Sequence, residues 1–388
     1  MTMTLRGVRR ALLSATIAVL ATSACSSSGS HSTASPTTTA TPASLAPYAK
    51  TGPNAVGYTQ AKLADGRRLV IWYPAQAGST AGRTQESIDV GSFLSPALQA
   101  KIPPGYRPLY KANAFLDAAP AKTASGYPLV VFSHGFAGFP EQSVTLTTHL
   151  ASWGFVVAAP NHVERSLDGL LGTAAQHVKT SSDLAVLQAT TDAVTNMSQQ
   201  PGVLKGMIDP NRIVTAGHSA GAGAAYQFAS ADPRVKAWIS YSVGLGGKSG
   251  PAPAVPNKPG MVMLGTKDGI IPPAASKSVY AHMKSPKYLV QIGDAGHLVF
   301  SDICLIGRSQ GGLVGIVHKI NLPIPDSLLK LGSDGCTKDH PLPEKAFPAI
   351  DQLSVAFFRS ALGIDPKAVG LDTEAVKDLG ATVTVQSG

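Results

Sequence analysis

Apolar residues in this chain gather in short unbroken runs, separated by stretches with helical spacing. The run Tyr127-Pro128-Leu129-Val130-Val131-Phe132-Ser133 has almost no polar interruption, and residues 154–160 (Gly-Phe-Val-Val-Ala-Ala-Pro) repeat the pattern. Runs of this kind suit strands covered on both faces, as in the middle of a parallel sheet. Further strands are predicted at 68–73, where Pro74 closes the run, and at 211–216, 237–241, 260–265 and 287–292. Helical spacing passes through Leu146, His149 and Leu150, and covers 183–197, the small residues 220–229 and a last stretch at 350–362. Strands alternating with helices predict an α/β fold, with a mostly parallel central sheet and helices on both faces. Residues 75–125 are weakly patterned, with Gly and Pro scattered through them, and no element is predicted there.

The N-terminal residues stand apart from this pattern. Arg6, Arg9 and Arg10 precede an apolar run at 11–20, which is too short to span a bilayer but has the length of a signal-peptide core. Ala21, Thr22, Ser23, Ala24 and Cys25 follow. Small residues ending at a cysteine resemble a bacterial lipobox. That resemblance implies a signal peptide over 1–24, lipidation of Cys25 and an exported protein anchored to the membrane. The alternative is ordinary cleavage near Ala24 and secretion. Residues 25–50 are rich in Ser, Thr, Pro and Ala, cannot bury a core, and read as a disordered tether. A single folded domain is expected over 51–365, and the tail 366–388 carries no expectation.

Charge and cysteine content refine the class. The formal net charge is +9, which drops to about +6 without the three leader arginines. No Lys/Arg run is present and no basic stretch is interleaved with aromatics, so nothing points to nucleic acid. With Cys25 lipidated, Cys304 and Cys336 remain as a pair. Export favours a disulfide between them, two free buried thiols being the alternative.

The chemistry centres on Gly217-His218-Ser219-Ala220-Gly221, a G-x-S-x-G sequence. In so glycine- and serine-rich a chain the pattern arises by chance roughly 0.4 times, and Gly307-Arg308-Ser309-Gln310-Gly311 matches it too. Context separates the two. A nucleophilic serine of this type sits on a sharp strand-to-helix turn, with glycines where backbones approach closely. Ser219 has a predicted strand before it and a small-residue helix after it; Ser309 has neither. A serine hydroxyl needs a base, and the base an orienting acid. Asp268 follows the strand at 260–265 and His297 follows the strand at 287–292, at carboxyl ends where open α/β sheets place their sites. Asp294 and Asp302 are the rival acids. Two backbone donors are expected for an oxyanion. One is the N–H of Ala220, directly after the nucleophile. The other is the N–H of Phe136, in Ser133-His134-Gly135-Phe136 after the strand at 127–133. His134 is expected to brace that loop.

These segments carry a family resemblance. Residues 129–135 (Leu-Val-Val-Phe-Ser-His-Gly) and 150–162 (Leu-Ala-Ser-Trp-Gly-Phe-Val-Val-Ala-Ala-Pro-Asn-His) resemble plasma-type platelet-activating factor acetylhydrolases. Gly52-Pro53-Asn54-Ala55-Val56-Gly57 and Trp72-Tyr73-Pro74 are similar to the start of that family's domain. Residues 217–241 and 265–297 also resemble cutinase-like polyester hydrolases. The resemblance implies an α/β-hydrolase fold and a cofactor-free serine hydrolase acting on carboxylic esters, with a lipid or other small ester as its partner. It carries over Ser219, Asp268 and His297 as the triad, and Phe136 and Ala220 as oxyanion donors. An acyltransferase on the same triad, a polyester hydrolase and a non-catalytic lipid-binding lipoprotein are the alternatives. The chain departs from both families at 301–343. That insert holds both late cysteines, and is expected either to border an acyl pocket or to be a packed surface excursion.

Overall fold

Leu129 and Val131 face one side of the sheet while Val130 and Phe132 face the other, and all four are fully buried. A strand can be apolar at successive positions only if both of its faces are covered, because side chains alternate across it. These residues belong to β5 (Tyr127–Ser133), near the middle of a sheet of eleven strands. The computed structural model describes residues 45–245 and 254–388. The leader, Cys25 and most of the expected tether lie outside the described residues.

The strands that precede β5 are β1 (Ala55–Lys62), β2 (Arg68–Ala75), β3 (Gln85–Asp89) and β4 (Leu109–Leu116). Those that follow are β6 (Val156–Pro160), β7 (Ile208–His218), β8 (Val235–Tyr241), β9 (Gly260–Gly265), β10 (Lys287–Ile292) and β11 (Val383–Ser387). Their order across the sheet is β11-β10-β9-β8-β7-β5-β6-β2-β1-β4-β3. From β10 to β6 every neighbouring pair is parallel, whereas β11, β2 and β3 pair antiparallel. The expected α/β layout is therefore present.

One face packs on α1 (Val144–Ser152) and the long α7 (Pro343–Ala361). The other packs on α2 (Asp183–Gln199), α3 (Ala220–Ala231) and α4 (Pro273–His282). Residues 301–343 carry α5 (Gly312–Lys319) and α6 (Asp326–Leu331), and Cys304 is disulfide-bonded to Cys336. Among the described residues no helix is long and apolar enough to cross a membrane.

Three expectations need correction, and the tail, which carried none, gains a role. Pro74 does not end its strand. β2 runs through it to Ala75, because Pro74 lies opposite Val56 of β1 where β6 has already ended its pairing at Trp72, and its other neighbour asks only for its carbonyl, which accepts the Ala121 N–H at 2.9 Å. The unpatterned residues 75–125 hold β3 and β4, an outer hairpin whose exposed positions dilute the apolar signal. Residues 46–50 are not tether. Tyr48 is buried, its N–H donates to Gln352 Oε1 at 2.7 Å, and its ring meets Trp153 edge-on at 4.8 Å. Finally, the tail supplies β11, which covers the edge of β10 from Tyr288 to Ile292.

Candidate active site

β7 ends at His218 and α3 begins at Ala220, so Ser219 alone makes the turn between them. Its backbone sits at φ 58, ψ −120, a region that L-residues rarely adopt and that costs on the order of 1–3 kcal/mol. The surroundings enforce it. A Cβ on Gly217 would lie 2.1 Å from the Gly221 carbonyl oxygen, and one on Gly221 would lie 2.0 Å from that of Ser133. The Ser219 N–H donates to Tyr241 O at 2.9 Å, tying the turn to β8. Ser309, by contrast, lies exposed on a 3-10 turn with no strand before it.

Asp268 follows β9 and His297 follows β10, and the two side chains meet. His297 Nδ1 is 2.9 Å from Asp268 Oδ2, and both side chains are buried. The other carboxylate oxygen, Oδ1, accepts the N–H groups of Ile270 and Ile271 at 2.9 and 2.8 Å. Burial alone would raise the Asp268 pKa. The hydrogen bond and charge of His297, with the Ile271 N–H, outweigh it and hold the carboxyl below its usual range. His297 Nε2 is buried without a protein partner, and His297 and Ser219 line one cavity. The rival acids are elsewhere. Asp294 is exposed and pairs with Lys267 at 2.9 Å. Asp302 is buried and accepts from the Thr145 N–H and the Tyr110 hydroxyl at 2.9 and 2.8 Å.

The loop after β5 lies against the nucleophile turn, where a Cβ on Gly135 would come within 3.3 Å of Ser219 Cβ. Its orientation is set by the buried Arg165. The guanidinium donates to Gly135 O at 3.0 Å, to His134 O and to Ser133 Oγ at 2.9 Å. A trans peptide points its C=O and N–H in opposite directions. Holding the Gly135 carbonyl toward Arg165 therefore aims the Phe136 N–H away from it. Neither that N–H nor the Ala220 N–H has a protein acceptor among the described residues. His134 braces the loop as expected, its Nε2 receiving the His162 N–H at 3.0 Å. Burial pushes its pKa well below the ordinary histidine value.

Three bracing groups gave no signal in the sequence: Arg165, Gln142 and Asp334. Gln142 Oε1 accepts the Gly135 N–H at 2.9 Å, and its Nε2 lies 2.9 Å from His218 Nδ1. His218 Nε2 in turn lies 3.0 Å from the His297 carbonyl oxygen. Burial and the neighbouring His297 push His218 down to about 3, so it is a neutral linker at physiological pH.

Comparison with known proteins places part of this chain beside ester-cleaving families. The family model for platelet-activating factor acetylhydrolase, isoform II, matches residues 110–171, which include the loop after β5. A platelet-activating factor acetylhydrolase of Cavia porcellus is 33% identical over 86 residues, 21% of this chain. That match spans 17% of the relative's own length. The solved structure of a ferulic acid esterase from Streptomyces cinnamoneus superposes with a TM-score of 0.58. It is 22% identical and covers 86% of this chain and 97% of that one, a likeness of fold. The chain has the α/β-hydrolase fold.

The insert at 301–343 reaches the same site. Asp334 lies two residues from Cys336. Its Oδ1 accepts the His297 N–H at 2.5 Å and the Gly269 N–H at 3.4 Å, and its backbone carbonyl accepts the Leu298 N–H at 3.0 Å. One residue of the insert thus touches the loops that carry both Asp268 and His297. The contact is close: a Cβ on Gly296 would lie 2.5 Å from Gly335 Cα. Of the two roles expected for the insert, the geometry favours the bordering one over a packed surface excursion, since α5 and α6 also wall the cavity that Ser219 opens into. Among the described residues no cluster of three or more His, Cys, Asp or Glu side chains is arranged to hold a metal ion.

Proposed function

We propose that this chain is a serine hydrolase of carboxylic esters. The observation that carries the reading is a strained Ser219 that lines one cavity with His297, whose Nδ1 is fixed by Asp268 while its Nε2 is buried and unpartnered. In this reading His297 Nε2 takes the Ser219 hydroxyl proton as Oγ attacks the ester carbonyl. The Phe136 and Ala220 N–H groups receive the oxyanion, each such donor being worth on the order of 10²–10³ in rate. His297 then gives its proton to the departing alcohol, and water resolves the acyl-enzyme by the same path in reverse. The local match to an acetylhydrolase and the fold shared with an esterase support ester chemistry.

A fluorophosphonate probe tests the proposal. Peptide mapping after labelling is expected to find one adduct, on Ser219, with loss of ester hydrolysis in proportion to labelling. An adduct on Ser309, or none on an active preparation, would refute it.

Asp334 enters this reading as a positioning residue. Asp334→Ala is expected to lower kcat about tenfold with a smaller change in KM, because the His297 N–H loses its acceptor and the base its placement, and a misplacement of about 1 Å can cost up to about 10²-fold. Asp334→Asn, which keeps an acceptor oxygen, should recover most of the rate. Equal loss in both variants, or a change in KM alone, would remove Asp334 from that role.

We also propose, from the sequence of residues 6–25 alone, that the enzyme is exported and held by a lipid on Cys25. The Cys304–Cys336 disulfide suits an oxidising compartment.

A further inference from the structure

We propose that the cavity beside Ser219 is an acyl-chain site, and that the enzyme prefers esters of unbranched aliphatic acids of intermediate length to acetyl or aromatic esters. The inference rests on the serine-hydrolase reading above and extends it to substrate class.

The lining is the first argument. It is mostly aliphatic, with Tyr106, Phe136 and Phe139 its aromatic members, and much of it comes from the insert: Leu313, Ile316 and Val317 on α5, Ile320 just past its end, with Leu328 and Leu329 on α6. The α5 positions recur at helical spacing, which puts them on one face. Apart from Ile316 they are only partly buried, so protein does not cover that face fully.

Charge is the second argument. Arg107 is the one charged residue in the lining, and its guanidinium is held by Asp89 at 2.7 Å. No free cation is therefore offered to a phosphate inside the cavity, and no carboxylate to a quaternary ammonium. The polar side chains nearest Ser219, Gln142 and His218, are bonded to each other and to the loops they brace. Beside these the lining offers a phenolic hydroxyl only that of Tyr106. The part of the substrate that fits is a neutral hydrocarbon chain.

Size is the third argument. The cavity measures about 160 Å³, close to the roughly 150 Å³ apolar cavity that holds one benzene molecule. That is room for an acyl chain of about six carbons. Each methylene moved from water into such a lining is worth about fourfold. Acetyl esters leave the cavity unfilled, and chains much longer than the cavity must leave its end exposed.

The test is a panel of p-nitrophenyl acetate, butyrate, hexanoate, decanoate and palmitate, with a ferulate ester alongside, on the full chain and on Val317→Phe and Val314→Phe, Val314 being a further lining residue of α5. We expect kcat/KM to rise at least 30-fold from acetate to hexanoate, to fall again by palmitate, and to be lowest for ferulate. Each Phe variant should reduce the hexanoate-to-acetate ratio at least tenfold; two positions are used so that a misfolded variant does not decide the matter. Hydrolysis with acetate or ferulate preferred, or an unchanged ratio in folded variants, would overturn the acyl-chain site while leaving the serine-hydrolase reading intact. No turnover of any ester and no phosphonate adduct would overturn both.

Discussion

Ser219→Ala is expected to reduce kcat for ester hydrolysis by a factor on the order of 10⁶ while leaving the fold unchanged. Both halves follow from the geometry. The hydroxyl is the only atom group lost, and Ser219 Oγ makes no hydrogen bond to the protein among the described residues, so its removal strands no partner. Alanine keeps the Cβ and inherits the same φ of 58, and the turn is imposed by Gly217, Gly221 and the bond to Tyr241 O, none of which changes. The thermal midpoint should therefore stay within a few degrees, since a 1 kcal/mol change moves a domain of this size by only about 2–4 °C. Steady-state kinetics on p-nitrophenyl hexanoate and differential scanning calorimetry check the two halves separately. Retained hydrolysis in a folded variant would mean that another nucleophile operates.

Asp268→Asn should cost about 10⁴ in kcat, for a reason specific to this site. Asp268 Oδ1 accepts two backbone N–H groups, from Ile270 and Ile271. Asparagine can keep those bonds only by leaving its carbonyl oxygen in place, which turns its NH₂ toward His297 Nδ1. The imidazole must then accept at Nδ1 and carry its proton on Nε2, the wrong tautomer for a base facing Ser219. The variant should fold, bind substrate with a similar KM, and label slowly with fluorophosphonate. Asp294→Asn is the control. Its carboxylate is exposed and paired with Lys267, so activity should be unchanged. A loss below tenfold in Asp268→Asn would remove Asp268 as the orienting acid.

The middle of the sheet could be read from the chain because a strand covered on both faces has no choice but to be apolar throughout. The edges lack that constraint. β4 has the burial pattern exposed, intermediate, exposed, buried, exposed, buried, intermediate, exposed, with Lys111 within it, and no apolar run survives. β11 did leave a trace, since Val383 and Val385 alternate with Thr384 and Gln386. The residues expected to form the triad lie at strand ends in a fixed order, so local context found them. Their braces did not have that advantage. Gln142 meets His218 across 76 residues, Arg165 meets the Gly135 carbonyl across 30, and Asp334 meets His297 across 37. None sits in a local pattern, since each acts only once the fold has brought distant loops together.

The disulfide-closed insert serves as both the wall of the cavity and a brace for His297, because α6 ends three residues before Asp334. Under the proposed reading, selectivity and turnover therefore share one segment and are not independent traits. A lineage that reshaped the wall to admit a new ester would displace the brace in the same step, and would need compensating changes around Gly296 and Gly335 before the gain could be kept. Change at this site is channelled through paired substitutions, one in the wall and one where Gly296 meets Gly335.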